Sequence, residues 1–105
     1  MISIDAFRKL ALSYSDVIEL PHFEKTSFRV NKKIFATLSE KENIAMLKLS
    51  LVDQSVFCDL SDGEIYPVPG GWGKQGATYF DFKKVKMEML KDAMTCSYNL
   101  VASKK

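Results

Sequence analysis

Residues 67–82, PVPGGWGKQGATYFDF, decide the course of this chain. The segment holds four of the five glycines, two of the three prolines and the only tryptophan, and it ends in a run with β-strand alternation. Glycine and proline interrupt regular structure, so this density beside one large aromatic residue predicts a loop of specified path that leads into a strand. The functional question is whether Trp72 and Lys74 contact a partner there or only fix the fold.

The glycines of this loop, Gly71, Gly73 and Gly76, have the spacing G-x-G-x-x-G of a dinucleotide-binding fingerprint. That fingerprint requires a helix opening at its end, because the helix N-terminus holds the pyrophosphate. A β-rich run follows here instead, so we expect no helix in this loop and no nucleotide cofactor. A P-loop also fails, because Gln75 stands where Ser or Thr must follow the lysine.

Trp72 has two interpretations. It could stack on a base or fill a partner's pocket, with Lys74 beside a phosphate or carboxylate. It could instead fold back over the core, as aromatic residues in glycine-rich loops often do. The second interpretation is favoured.

Hydrophobic periodicity before and after the loop alternates between helical and strand spacing. It predicts helices over residues 3–14, 51–60 and 83–102, and strands over residues 26–30, 33–38, 44–50, 64–68 and 77–82. In the second helix, Val52, Val56 and Leu60 form the apolar stripe with Ser55. The fold class is therefore α+β: two layers in the order αβββαββα, an antiparallel sheet with helices on one face, as a single domain over residues 1–105.

Charge is unevenly distributed along the 105 residues, although the net charge is only +2. Residues 25–33 and 67–86 are basic, whereas residues 50–66 carry acidic residues and no basic one. If the two basic stretches meet, the molecule has a positive and a negative side. No apolar run reaches the roughly 20 residues of a membrane span, and the N-terminus lacks a signal-peptide pattern, so we expect a cytoplasmic protein.

Few residues suggest catalytic or metal chemistry. Cys58 and Cys96 are far apart in sequence and are expected to be reduced packing residues. His22 is the only histidine, so a zinc site is not expected, and it is more often a hydrogen-bonded structural residue than a general base. We predict no metal, no cofactor and no enzymatic activity.

Three separated segments resemble the MmcQ/YjbR family of small bacterial proteins: PHFEKTSFRVNKKIFATL (21–38), YPVPGGWGKQGATYFDF (66–82) and LKDAMTCSYNLVA (90–102). The resemblance spans nearly the whole chain in the same order. It implies a compact αβ3αβ2α fold of a type described as DNA-binding-like, after a double-wing nucleic-acid-binding arrangement. It supplies no catalytic motif to transfer.

The leading hypothesis is a non-enzymatic binding module for nucleic acid, monomeric or weakly dimeric, using the basic hairpin and the Gly/Trp loop. The candidate contact residues are Arg29, Lys32, Lys33, Lys48, Trp72, Lys74 and Lys84. The alternative is a protein-interaction adaptor that uses the open sheet face or the edge strand. An exposed apolar patch around Phe35, Met46 and Trp72 would favour that alternative.

Overall fold

The computed structural model describes residues 2–103. Its elements are α1 (Ile4–Leu12), β1 (Ile18–His22), β2 (Lys25–Val30), β3 (Lys33–Ser39), β4 (Ile44–Lys48), α2 (Leu51–Asp59), β5 (Ile65–Pro67), α3 (Gly71–Lys74), β6 (Ala77–Asp81) and α4 (Met87–Ala102). The strands form one six-stranded antiparallel sheet in the order β1-β2-β3-β4-β6-β5. The predicted α+β class is confirmed. Among these residues, no helix combines the length and apolar character needed to cross a membrane.

Short polar signals set the element boundaries. The Oγ of Ser3 accepts a hydrogen bond from the Ala6 N–H at 3.0 Å and begins α1. Ser50 does the same for α2 by accepting from the Asp53 N–H at 3.1 Å. The β2–β3 hairpin turns on Asn31–Lys32 with positive φ at both residues, 53° and 68°, as a two-residue type I′ turn requires. The predicted hairpin is therefore present without the usual glycine.

The core lies between one face of the sheet and the helices. From α1, the fully buried Phe7 ring lies 5.6 Å from Phe28 of β2 and 5.3 Å from Phe82. In α4, the buried Ser97 hydroxyl donates to the Phe35 carbonyl at 2.8 Å, which fixes this helix across the sheet. Truncating a phenylalanine in such a core costs about 3–5 kcal/mol. In the part of the chain that the structure describes, this packing leaves the other sheet face without a long covering helix.

The predicted order αβββαββα lacks two of the observed elements, β1 and α3. Strand β1 contains Pro21, which has no N–H for a sheet ladder, and it is tolerated because β1 is an edge strand. Arg8 of α1 helps to hold β1 by donating from its Nε to both carboxylate oxygens of Glu19, at 3.2 and 3.1 Å. Helix α3 is a single turn made largely of glycine, which has low helix propensity.

The predicted inward stripe of α2 is also wrong. Val52, Val56 and Leu60 are 72%, 49% and 64% exposed, whereas Gln54 and Phe57 are buried. The Gln54 side chain donates from Nε2 to the backbone carbonyls of Gly73 and Ala77. These hydrogen bonds orient the Gln54 face of α2 toward the protein interior. A polar residue with buried partners has thus displaced the apolar stripe from the core.

Candidate functional site

The uncovered face of the sheet presents a floor of small and apolar side chains. Thr37 of β3 pairs with Met46 of β4, and Lys48 of β4 pairs with Ala77 of β6. Side chains alternate between the faces of a strand, so these residues point away from the core, which takes their neighbours. Thr37 and Ala77 are nevertheless buried, because the turn between β1 and β2 and the helix α3 flank this part of the sheet.

One wall is the two-residue turn between β1 and β2. Phe23 has a positive φ of 59° there, and its side chain is 95% exposed. Left-handed backbone costs a non-glycine residue about 1–2 kcal/mol, and a side chain this exposed gains little burial to offset that cost. The His22 ring meets the Phe23 ring edge-on, with centroids 5.0 Å apart. An exposed aromatic residue on a strained turn motivates a functional hypothesis.

The opposite wall is α3, which carries Trp72. Trp72 is 72% exposed, so the favoured interpretation of a tryptophan folded over the core is wrong. The neighbouring glycines explain why. A Cβ on Gly73 would lie 1.8 Å from the Val68 carbonyl oxygen, and one on Gly76 would lie 1.8 Å from that of Leu49. The backbone of the turn is therefore the part that packs inward, and the tryptophan points out.

The position of this wall is fixed from below by α2. The buried Gln54 amide donates to the Gly73 carbonyl at 2.9 Å and to the Ala77 carbonyl at 3.1 Å. The same side chain thus joins the turn carrying Trp72 to the start of β6. Hydrogen bonds from Leu49 N–H to the Gly76 carbonyl and from Val68 N–H to the Ala77 carbonyl hold the two ends of the loop.

Between these walls lie two adjoining cavities of about 590 and 210 Å³. They share five residues and together form what we call the sheet groove. The shared residues are His22, Thr37, Met46, Trp72 and Ala77. Phe23, Ile34 and Gln75 extend the larger cavity, and Val68 and Tyr79 extend the smaller one. The larger volume lies within the roughly 300–1,000 Å³ typical of ligand sites.

The charged side chains that line the two cavities of the sheet groove are all lysines. Lys33 and Lys48 line the larger cavity and Lys25 the smaller one. Among residues 2–103, no aspartate or glutamate lines either cavity. Farther along the same face lies an acidic residue, Asp81. The pKa of the Tyr66 hydroxyl is raised there, mainly by burial and next by the negative charge of the Asp81 carboxylate. The groove is therefore the basic part of a face whose charge is not uniform.

The structure brings three of the predicted contact residues to the sheet groove: Lys33, Lys48 and Trp72. Arg29 faces the same side next to β1, where its Nε donates to the Ser27 hydroxyl at 3.0 Å. The other three are exposed side chains that do not line the two cavities: Lys32, Lys74 and Lys84. Lys84 follows Asp81, at the opposite end of β6 from Ala77.

Sequence reasoning missed Phe23, Lys25 and the position of His22. Strand β1 was not predicted, so the turn that joins it to β2 through residues 22–25 was not predicted either. Phe35, one of the three residues whose exposure would favour the adaptor alternative, is fully buried. Within the described chain, no group of three His, Cys, Asp or Glu residues could hold a metal ion, and no carboxylate, serine or cysteine lines the groove beside His22.

The architecture defines a class of α+β proteins that is also seen in solved structures. The crystal structure of Deinococcus radiodurans protein DR2400, which carries a DUF419 domain, matches with a TM-score of 0.84 at 20% identity, covering 99% of this chain and 81% of that one. DUF419 is related in structure to the MmcQ/YjbR family. A Pseudomonas syringae protein matches with a TM-score of 0.70 at 13% identity, covering 95% of this chain and 99% of that one. At these identities the likeness establishes the fold. No protein-family model and no curated protein matches the sequence.

Proposed function

We propose that this protein is a non-enzymatic nucleic-acid-binding module of the MmcQ/YjbR type, with the sheet groove as its contact surface. The observation that carries the proposal is the grouping of three lysines, without a carboxylate, around an exposed tryptophan. Lysine ammonium groups neutralise phosphates and release their counterions, which supplies most of the affinity of such modules. Arg29, on the same face, extends the basic surface toward β1.

The test is the salt dependence of binding to a short fluorescein-labelled oligothymidylate, followed by anisotropy. The double variant Lys33→Gln/Lys48→Gln removes two cations from the groove. Its matched control, Lys9→Gln/Lys91→Gln, removes two exposed cations from α1 and α4. Each phosphate contact contributes about 0.7 to the slope of log K against log salt for a single strand, so the first variant should lower that slope by about 1.4. Equal slopes for the two variants, or no binding at low salt, would contradict the proposal.

A second candidate function is a protein-interaction adaptor, and a specific observation favours it. Phe23 and Trp72 present large apolar side chains, 95% and 72% exposed, on the two walls of one groove. Exposed aromatic residues of this kind anchor peptide partners. Such binding would depend on these two residues but little on salt or on Lys33 and Lys48. Copurification of a protein whose binding survives the lysine substitutions would favour this function over the first.

A further inference from the structure

The sheet groove contains apolar and aromatic side chains in addition to the lysines that phosphate binding requires. Its cations, Lys25, Lys33 and Lys48, come from three different strands, whereas its floor is formed by Thr37, Met46 and Ala77. A phosphate gains nothing from such a floor, because an anion next to apolar side chains loses its hydration without compensation. The flat, weakly polar face of a nucleobase fits it. The groove thus has separate surfaces for backbone and for base.

The two walls present the side chains that would hold a base. Trp72 and Phe23 line the same 590 Å³ cavity, and both rings are largely exposed. Base–aromatic stacking combined with a positively charged channel is the general arrangement of proteins that bind single strands. Phe23 also adopts its positive φ of 59° at a turn where glycine or asparagine would be relaxed. A bulky aromatic residue at that position is therefore unfavourable for folding and needs another explanation.

We infer that the sheet groove binds single-stranded nucleic acid, with unpaired bases stacked on Trp72 and Phe23 and the backbone along Lys33 and Lys48. This inference rests on the proposed function and narrows its ligand. In a duplex the base faces are covered by their neighbours, and exposing one requires unstacking and unpairing. A duplex would therefore meet only the lysines. Three lysines beside two exposed aromatic residues match a single strand, which carries phosphates and unpaired bases together, better than an uncharged protein segment.

The experiment compares three probes of equal length at low salt: an oligothymidylate, an abasic strand with the same phosphates, and a duplex. We expect the oligothymidylate to bind most tightly and to quench the fluorescence of Trp72, the only tryptophan. Stacking contributes enough per base that removing the bases should weaken binding by about 5- to 150-fold for each base held. Phe23→Asn and Trp72→Leu should each weaken oligothymidylate binding within the same range and leave abasic binding unchanged.

The control variant is Leu60→Asn, which changes an apolar residue 64% exposed on α2 and should bind all three probes like the original chain. Thermal melting shows whether each variant is folded, and Phe23→Asn should melt no lower because asparagine tolerates positive φ. If the oligothymidylate and abasic strands bind equally, or the duplex binds as tightly as the single strand, the inference is overturned and the proposed function stands. If none of the probes binds at low salt, the proposed function itself fails.

Discussion

Replacing Gln54 by alanine tests how the Trp72 wall is held. The substitution removes two hydrogen bonds, from Nε2 to the buried Gly73 and Ala77 carbonyls at 2.9 and 3.1 Å. Both carbonyls keep a backbone partner, the Gly76 N–H at 3.1 Å and the Val68 N–H at 2.9 Å. Each lost hydrogen bond therefore costs its net value of about 0.5–1.5 kcal/mol, and we expect a loss of about 1–3 kcal/mol for the pair. Alanine's better helix propensity returns at most about 0.5 kcal/mol.

At roughly 2.1 cal/mol/K of unfolding entropy per residue, a loss of about 1–3 kcal/mol corresponds to a fall in melting temperature of about 5–14 °C. Urea denaturation followed by circular dichroism gives the free energy of unfolding, and Trp72 fluorescence reports the wall separately. Gln54→Glu should be worse than alanine, because a carboxylate cannot donate and would repel both carbonyls. The matched control is Gln75→Ala, an exposed glutamine whose loss should stay within about 0.5 kcal/mol. Equal losses at the two glutamines would show that the Gln54 hydrogen bonds do not stabilise the turn that carries Trp72.

Three further predictions concern stability, each measured by denaturant unfolding. Gly73→Ala should lose about 1–3 kcal/mol, because its Cβ would meet the Val68 carbonyl oxygen at 1.8 Å, whereas Gly71→Ala has open space and should be neutral or slightly stabilising; similar losses at both would argue against the close approach. Val56 is 49% exposed, so Val56→Lys should change the free energy of unfolding by less than about 0.5 kcal/mol. A loss above about 2 kcal/mol would indicate that Val56 packs in the core after all. Burial, more than the nearby Asp59 and Asp53, raises the pKa of the Cys58 and Cys96 thiols. The folded state therefore keeps its thiol protons longer than the unfolded chain, so stability should be full below pH 9 and fall as the pH rises through the folded pKa values; a Cys58→Ala/Cys96→Ala variant that declines equally would contradict this assignment.

Much of the fold followed from sequence because its signals are local. Ser3 caps α1 close to the start that helical periodicity predicts, and Asn31–Lys32 makes the two-residue turn between the predicted strands 26–30 and 33–38. Strand alternation over the predicted range 44–50 puts Lys48 on the face opposite Leu47 and Leu49, and Lys48 is indeed exposed whereas both leucines are buried. In each case the residue and its partner lie within a few positions of each other, so the pattern contains the information.

The features that sequence did not reveal depend on distant partners. The inward face of α2 is decided by Gln54 and carbonyls 19 and 23 residues away, which no helical period records. The short strand β1 is stabilised by pairing with β2 and by Arg8, 11 residues before Glu19. Because β1 was missed, the turn that carries Phe23 was missed with it. The candidate site could thus be predicted only for Lys33, Lys48 and Trp72.

The exposure of Trp72 also depends on partners that are distant in sequence. A glycine-rich loop indicates close backbone approach, but not which part of the loop approaches the protein. Here Gly73 and Gly76 contact the carbonyls of Val68 and Leu49 through backbone alone, and the intervening geometry turns the indole outward. The difference changes the functional reading, since an exposed indole beside lysines is available to a ligand.

The most direct test of the sheet groove as a nucleic-acid interface is a heteronuclear NMR titration of the whole chain with a short oligothymidylate at low salt. If the sheet groove binds the strand, the largest amide shift changes should occur at Phe23, Lys33, Lys48 and Trp72, the exposed residues of α2 should be unchanged, and the changes should disappear as salt is added. Shift changes centred on α2 or α4, or none at any salt concentration, would contradict it.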